Sequence, residues 1–296
     1  MSISSIEREE FAQHSFLKRL LELHDIPEQL YIKGSLPEVT FDAYGRATPR
    51  ILAVIGSRKN TTYGKEAVKK LLTSLAGQQV VILSGLALGI DGLSHKEALN
   101  NKLITVAVPG SGLDETVLYP HAHIELSRNI LENNGCLISE LSPGTKPAQW
   151  TFPSRNRIVA ALADAILVVE AASKSGALIT ARLGLELGRD IGAIPGDIFS
   201  EQAEGTNLLI KDGAYIIRNE DDLYDLLHLT QETKQQQTVS LSNDEQILFD
   251  TLSEPHDKDT LLHKSGLGQS HFLVALTSLE MKGYIQDTFG EVKRLV

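Results

Sequence analysis

The chain is 296 residues long, 42% hydrophobic and 22% charged, which is the composition of an ordinary globular protein and excludes a disordered, fibrous or membrane-embedded one. A formal net charge of −10 and a single cysteine exclude a body wrapped all round by nucleic acid, a disulfide framework and a metal-cysteine cluster, while leaving room for one basic groove on an acidic surface. No apolar run reaches the roughly 18 residues of a membrane helix. Met1 to Leu20 carries Glu7, Arg8, Glu9 and Glu10 where a signal peptide would be apolar, so the expected location is cytoplasmic, with no membrane partner.

Residues 1–48 include "FLKRLLELHDIPEQLYIKG", which reads as a short helix or two and then a strand-like segment ending at Gly34, an N-terminal helical appendage. From Ile51 onward the apolar runs "ILAVIGS", "QVVILSG", "LITVAVPG", "CLISE", "AILVVEA", "IGAIPG" and "AYIIRN" alternate with helical patterns. Uniformly apolar strands suit a parallel sheet covered on both faces, and the stretches between them carry apolar residues at three- and four-residue steps. Residues 49–227 are therefore predicted to form a Rossmann-like, doubly wound, mostly parallel α/β sheet, with Cys136 a buried structural thiol. The polar segment 228–242, "HLTQETKQQQTVSLSN" in its surroundings, reads as a linker. Residues 243–296 show three helical periods and a hairpin turning at Phe289-Gly290, the order of a winged helix, with Asn243 and Ser270 as candidate N-caps.

In open α/β sheets ligands collect beyond the carboxyl ends of the strands, and four turns there are unusual. "GSRKNTTYG" offers Gly56 for backbone approach, the Ser57 hydroxyl, and Arg58 ahead of a helix starting near Tyr63, an anion site. "SGLALGIDGLSH" has Gly85, Gly89 and Gly92 out of step with a dinucleotide fingerprint, so a tight strand-to-helix turn competes with a ligand loop. Its Asp91 and His95 share a helix face, for a structural hydrogen bond or for acid-base work. "PGSGLDETVLYPHAH" brings Gly110 and Gly112, Tyr119 for stacking, and His121 and His123, expected to be a solvated pair. "ASKSGALITARLGLELGR" places Lys174, Ser175 and Gly176 at a helix start, and its Arg182 and Arg189 are expected to face solvent. The apolar faces of that last helix fit burial or a partner surface equally.

"TFPSRNR" sets Arg155 and Arg157 at what reads as the first turn of a helix begun by Pro153 and Ser154. Cations there oppose the helix dipole by about 0.3–1 kcal/mol each. A bound polyanion would reverse the sign, and Phe152 beside them offers a face for a base. Pairing with Glu140 or Glu170 is the competing explanation, more readily for one arginine than for both. No nucleophile elbow, Walker loop, HExxH or CxxC pair occurs, so binding without enzymatic activity and without a cofactor is expected.

The motifs "VIGSR", "SGLALGIDGLSH", "AVPGSGLDETVLYP", "LISE", "FPSRNRIVAALADAILVVEA", "SGALITA" and "IPGD…GTNLLIKDGA" resemble, in this order and over about residues 31–219, the DNA-processing family DprA, also called Smf. The resemblance implies a single-stranded DNA binder that loads the RecA recombinase onto incoming strands in natural transformation, acting as a homodimer. It implies that Gly56, Ser57 and Arg58 hold backbone phosphates, that Phe152, Arg155, Asn156 and Arg157 line the same pocket, and that Ser175 and Gly176 stand opposite. Gly85, Gly110, His121, Lys146 and Lys174 complete the candidate DNA-contacting set. Two features depart from the family: no clear helix-hairpin-helix glycine pattern in a short N-terminal region, and His121 where members often carry lysine or arginine; the winged helix, present in only some members, has a poorly basic third helix. That last helix has only His271 and Lys282, which favours an auxiliary or protein-contact role over duplex reading. The alternative function is a nucleotide-binding or nucleotide-hydrolysing protein of the Rossmann-like LOG type, working through Glu170 or Glu186.

Overall fold

The computed structural model describes residues 2–229 and 241–294, apart from residues 253, 283 and 289. The chain divides into two compact units, Met1–Thr230 and Gln231–Val296. Of the predicted linker, residues 230–240 lie outside the described ones.

The first unit is built on a nine-stranded sheet. In chain order its strands are β1 (Ile3–Glu7), β2 (Gln29–Gly34), β5 (Arg50–Ile55), β6 (Val80–Ser84), β7 (Ile104–Ala107), β8 (Cys136–Ser139), β9 (Ala165–Val168), β10 (Asp190–Ala193) and β11 (Tyr215–Ile216), with β3 (Thr40–Phe41) and β4 (Ala47–Thr48) forming a separate small hairpin. The spatial order is β1-β2-β8-β7-β6-β5-β9-β10-β11, parallel from β8 to β11 and antiparallel at β1 and β2. The helices are α1 (Thr62–Ser74), α2 (Ile90–Asn100), α3 (Ile124–Glu132), α4 (Thr151–Leu162), α5 (Gly176–Glu186), α6 (Glu204–Lys211) and α7 (Glu220–Leu226).

β5 is buried along its whole length, and its residues alternate between two cores as the two-residue period of a strand requires. Ile51, Ala53 and Ile55 join the layer that holds α4 and α5. Leu52 and Val54 join the layer that holds α1, α2 and α7. Cys136 is buried in the first layer, and burial pushes its thiol up to about 12.

The N-terminal segment departs from the expected helical appendage. Its helices are short 3-10 turns, Arg8–Gln13 and Lys18–Glu22, and β1 and β2 continue the main sheet through Lys33↔Leu137 and Ile3↔Lys33 pairs. β2 satisfies the free edge of β8, which an appendage packed only by side chains would leave open.

The second unit contains α8 (Asn243–Thr251), β12 (His256–Asp257), α9 (Lys258–Ser265), α10 (Gln269–Met281), β13 (Ile285–Thr288) and β14 (Glu291–Arg294), with a β12-β14-β13 sheet, the winged-helix order. Its caps differ from the expected ones. Ser242, not Asn243, caps α8 and exchanges hydrogen bonds with Glu245, and Gly268 precedes α10, so that Ser270 lies inside its first turn. Of the predicted turn, Gly290 takes φ +91° and Phe289 lies outside the described residues. The two basic side chains considered for α10 both have carboxylate partners. His271 meets Asp244 at 2.7 Å and Lys282 meets Glu245 at 2.6 Å, and Lys282 with Ser278 holds the Glu245 carboxyl down to about 2.

Candidate nucleic-acid interface

Strands β5 to β8 are laid down in one direction across the sheet and β9 to β11 in the other, so β5 and β9 are neighbours whose following loops part company. That is the switch point at which open α/β sheets hold ligands. A cleft of about 630 Å³ lies there, lined by Gly56 to Lys59 after β5, by Gly85 and Ala87 after β6, by one flank of α4 and by the loop from Ala172 into α5.

The turn after β5 is pinned from below. The Ser57 amide donates to the Glu170 carbonyl at 2.7 Å, the Lys59 amide donates to Ser57 Oγ at 3.0 Å, and the Glu170 carboxylate takes the Thr61 amide at 2.9 Å and the Thr61 hydroxyl at 2.5 Å. Arg58 and Lys59 are left exposed on top. No carboxylate lies within 4.0 Å of Arg58 among the described residues; its guanidinium carbon instead sits 4.8 Å from the centroid of the Phe152 ring. Phe152 meets Tyr119 edge-on at 5.8 Å, and a Cβ at Gly110 would stand 2.6 Å from the Phe152 ring, so Gly110 is the seat of this aromatic.

Arg155 forms the floor. It is 6% exposed and donates to the Val108 carbonyl. A Cβ on Gly85 would fall 1.9 Å from its Nη1, so only glycine admits the guanidinium at that place. Asp91 supplies the opposing charge while accepting from the amides of Gly85 (3.2 Å) and Ala87 (3.4 Å). Burial lowers Arg155 to about 10, which leaves it protonated at neutral pH, and burial raises the Asp91 carboxyl against the pull of Arg155 and those amides. Opposite, Ser175 caps α5 by accepting the Ala177 amide, Asn156 Nδ2 donates to the Gly176 carbonyl at 3.5 Å, and no atom lies within 4 Å of where a Gly176 Cβ would be. The lining carries four cations, Arg58, Lys59, Arg155 and Lys174, against the single carboxylate of Asp91. On a chain of net charge −10, that is a local reversal of sign.

Gly56, Ser57, Arg58, Gly85, Phe152, Arg155, Asn156, Lys174, Ser175 and Gly176 are thus brought together. Their roles differ in places from the expected ones. Gly56 serves packing, since a Cβ there would meet Ile90 at 2.8 Å and the Glu170 carbonyl at 2.9 Å, and the Ser57 hydroxyl is turned to the Lys59 amide. Four expected residues do not line the cleft. Gly110 lies beneath Phe152; His121, in the His121–His123 3-10 turn, and Lys146, on a loop, are exposed outside it. Arg157 faces away and pairs with Glu140 at 2.5 Å and Asp25 at 3.3 Å.

The reason for that split is helix geometry. α4 begins at Thr151, two residues before the expected start, because Thr151 Oγ1 bonds the Gly110 carbonyl at 2.6 Å and Pro153 is tolerated where amides have no helical partner. Both arginines therefore stand in the second turn, clear of the unfavourable dipole end, and two residues apart means about 200° around the axis. One enters the cleft and the other an ion pair. Asp91 and His95 also part: His95 Nδ1 meets Thr105 Oγ1 at 2.7 Å. His123 is buried against the Leu86 carbonyl at 2.8 Å, so it and His121 are not a solvated pair. Arg189 is not solvent-facing either, being bonded to Glu22 and to the Ala161 carbonyl.

Lys59, Gln149 and Gln202 line the cleft without having been singled out. Lys59 was signalled by its place beside Arg58. Gln202 comes from a 3-10 turn in the segment after β10, whose Gly196, Asp197 and Glu201 carry no basic residue to mark it as part of an anion site. Trp150, the only tryptophan, is 62% exposed and lies in the chain between the lining residue Gln149 and the start of α4.

Comparison with known proteins fits this geometry. The family model for DNA recombination-mediator protein A matches residues 8–228. The chain belongs to that family. It is 35% identical over 289 residues to protein Smf of Escherichia coli, covering 94% of this chain and 74% of that one. It is 40% identical over 204 residues to DNA processing protein DprA of Streptococcus pneumoniae, covering 69% and 68%. Among solved structures it resembles DprA of S. pneumoniae with TM-score 0.66 and 35% identity, covering 76% of this chain and 74% of that one. It resembles DNA processing protein A of Helicobacter pylori, whose structure concerns its single-stranded DNA binding mode, with TM-score 0.64 and 30% identity, covering 77% and 96%. Among the described residues of this DprA-family chain, no helix is long and apolar enough to cross a membrane.

Proposed function

We propose that the cleft at the β5/β9 switch point holds the sugar-phosphate chain of single-stranded DNA, and that the chain uses it to present strands to RecA during natural transformation, as a cytoplasmic homodimer without catalytic activity. The observation that carries this reading is the Arg58 guanidinium, unpaired with any carboxylate among the described residues and laid against Phe152 above the buried charge of Arg155. A fixed cation beside an aromatic face suits a phosphate followed by a stacked base, and neither contact reads sequence. The H. pylori relative's named ligand supports the same class.

Neither carboxylate named for the nucleotide-hydrolysing alternative stands free in the cleft. Glu170 is committed to Thr61, and Glu186 lies on α5 outside the cleft. Filter binding of oligothymidine at two salt concentrations tests the reading: Arg58→Ala weakens binding about tenfold and lowers the salt slope by about one. Adding the native chain speeds RecA assembly on the same strand, and Arg58→Ala does not. Unchanged affinity and slope in the variant would remove the cleft from the account.

A further inference from the structure

A second set of arginines gathers at the opposite end of the strands. Arg50 is the first residue of β5, roughly 16 Å of strand away from Ile55 at the cleft. Around it, Arg19 from the second 3-10 turn, Arg46 from the β3-β4 hairpin and Arg189 ahead of β10 line a cavity of about 200 Å³, with Tyr44 also in its wall.

The carboxylates nearby are already occupied. Asp164 accepts Arg19 Nη2 at 2.7 Å and the amides of Ala47 at 3.1 Å and Ile51 at 2.7 Å. Glu22 takes Arg189, Asp42 takes the amides of Tyr44 and Arg46, and Asp190 takes His228 at 3.1 Å. Arg50 is left over. It is 9% exposed, stands 3.9 Å from Asp164, and its guanidinium has no hydrogen bond among the described residues. Arg189 Nε is likewise buried without a partner. Arg19 and Arg50 therefore share one well-buried carboxylate, Asp164, while Arg189 is held by Glu22, whose side chain is half exposed. Burial leads the lowering of both Arg50 and Arg189, and neighbouring arginines push the same way.

Buried guanidiniums in excess, with donors unused and a cavity before them, fit a compact oxyanion with several acceptors. We propose that this cavity is a second anion site, separate from the DNA cleft, which takes a phosphate group. Arg50 supplies the unused fork of donors, Arg46 closes the outer side, and the exposed Tyr44 ring flanks the entrance. The phosphate is carried either by a small free compound or by the 5′ end of a strand; the chemistry recognised is the same.

Isothermal titration calorimetry of the full chain with pyrophosphate tests it. The expected result is saturable binding that weakens about tenfold in Arg50→Gln and about threefold in Arg46→Gln, and is unchanged in Arg58→Ala. Arg46 has a half-exposed side chain, so its variant keeps the test valid where Arg50→Gln fails to fold by circular dichroism. A parallel titration with 5′-phosphorylated and 5′-hydroxyl oligothymidine separates the sources: preference for the phosphorylated strand, lost in Arg46→Gln, assigns the site to a strand end, and pyrophosphate binding without that preference assigns it to a small compound. No binding of either probe, equal affinity in both amino-end variants and the native chain, or loss in Arg58→Ala alone would overturn the proposal. Because Arg58→Ala is the control, this outcome is read independently of the cleft.

Discussion

The carboxyl and amino ends of the nine-stranded sheet both collect arginines, but they use them differently. At the carboxyl end Arg58 is exposed and set against an aromatic ring, and Asp91 is the one carboxylate in the lining of the cleft among the described residues. At the amino end Asp164 ties Arg19, the β3-β4 hairpin and the start of β5 together, and its arginines are mostly structural crosslinks. Cation count alone does not separate a binding face from a brace. What separates them is whether the guanidinium has a partner, and whether there is room in front of it. Arg155 and Arg157 make the same point within one helix, one facing the cleft and the other paired with Glu140 and Asp25.

The largest effect that would sharpen this contrast is on stability at the amino end. Asp164→Ala leaves Arg19 without its carboxylate and two amides without their acceptor, and is expected to cost about 3–5 kcal/mol in urea unfolding, whereas Arg58→Ala stays within about 0.5 kcal/mol of the native chain. Equal losses in both variants would dissolve the distinction between brace and binding face.

Next comes the acid response of the layer behind the cleft. His95 is fully buried, and burial, with His123 and Arg155 nearby, lowers its imidazole to about 3 from the ordinary 6.5. A depressed histidine is neutral when folded and protonates on unfolding, so its contribution is complete above pH 6.5 and declines as the pH falls from there toward 3. Urea midpoints measured between pH 6.5 and 5 are expected to fall for the native chain and to fall less steeply for His95→Gln. Parallel slopes would place the acid sensitivity elsewhere.

The smallest expected change concerns Arg157. Its truncation uncovers Glu140 and is expected to cost about 1–3 kcal/mol of stability, with oligothymidine affinity unchanged.

Much of this was legible from residue patterns. Apolar runs over strands such as "ILAVI" mark a sheet covered on both faces, and glycines at strand ends mark the loops that form the cleft. Side-chain direction was less legible. The start of α4 depends on a Thr151 hydroxyl bond to Gly110, 41 residues away, and a two-residue shift of that start changes which turn carries the arginines. β1 was hidden because its burial runs i-e-e-i-e, without the alternation that betrays a half-buried strand. Asp164 sits before an apolar strand like many loop carboxylates, and only the fold brings Arg19 to it from 145 positions away.

The central claim is that Arg58, and not Arg157, faces the strand. Trp150 is the only tryptophan and lies in the chain between the lining residues Gln149 and Phe152, so its fluorescence is expected to follow occupancy. Titrating oligothymidine into the native chain, Arg58→Ala and Arg157→Ala at two salt concentrations tests that claim most directly. The account predicts a roughly tenfold weaker midpoint and a salt slope lower by about one for Arg58→Ala, with Arg157→Ala indistinguishable from native. Equal loss in both variants, or none in Arg58→Ala, would contradict it.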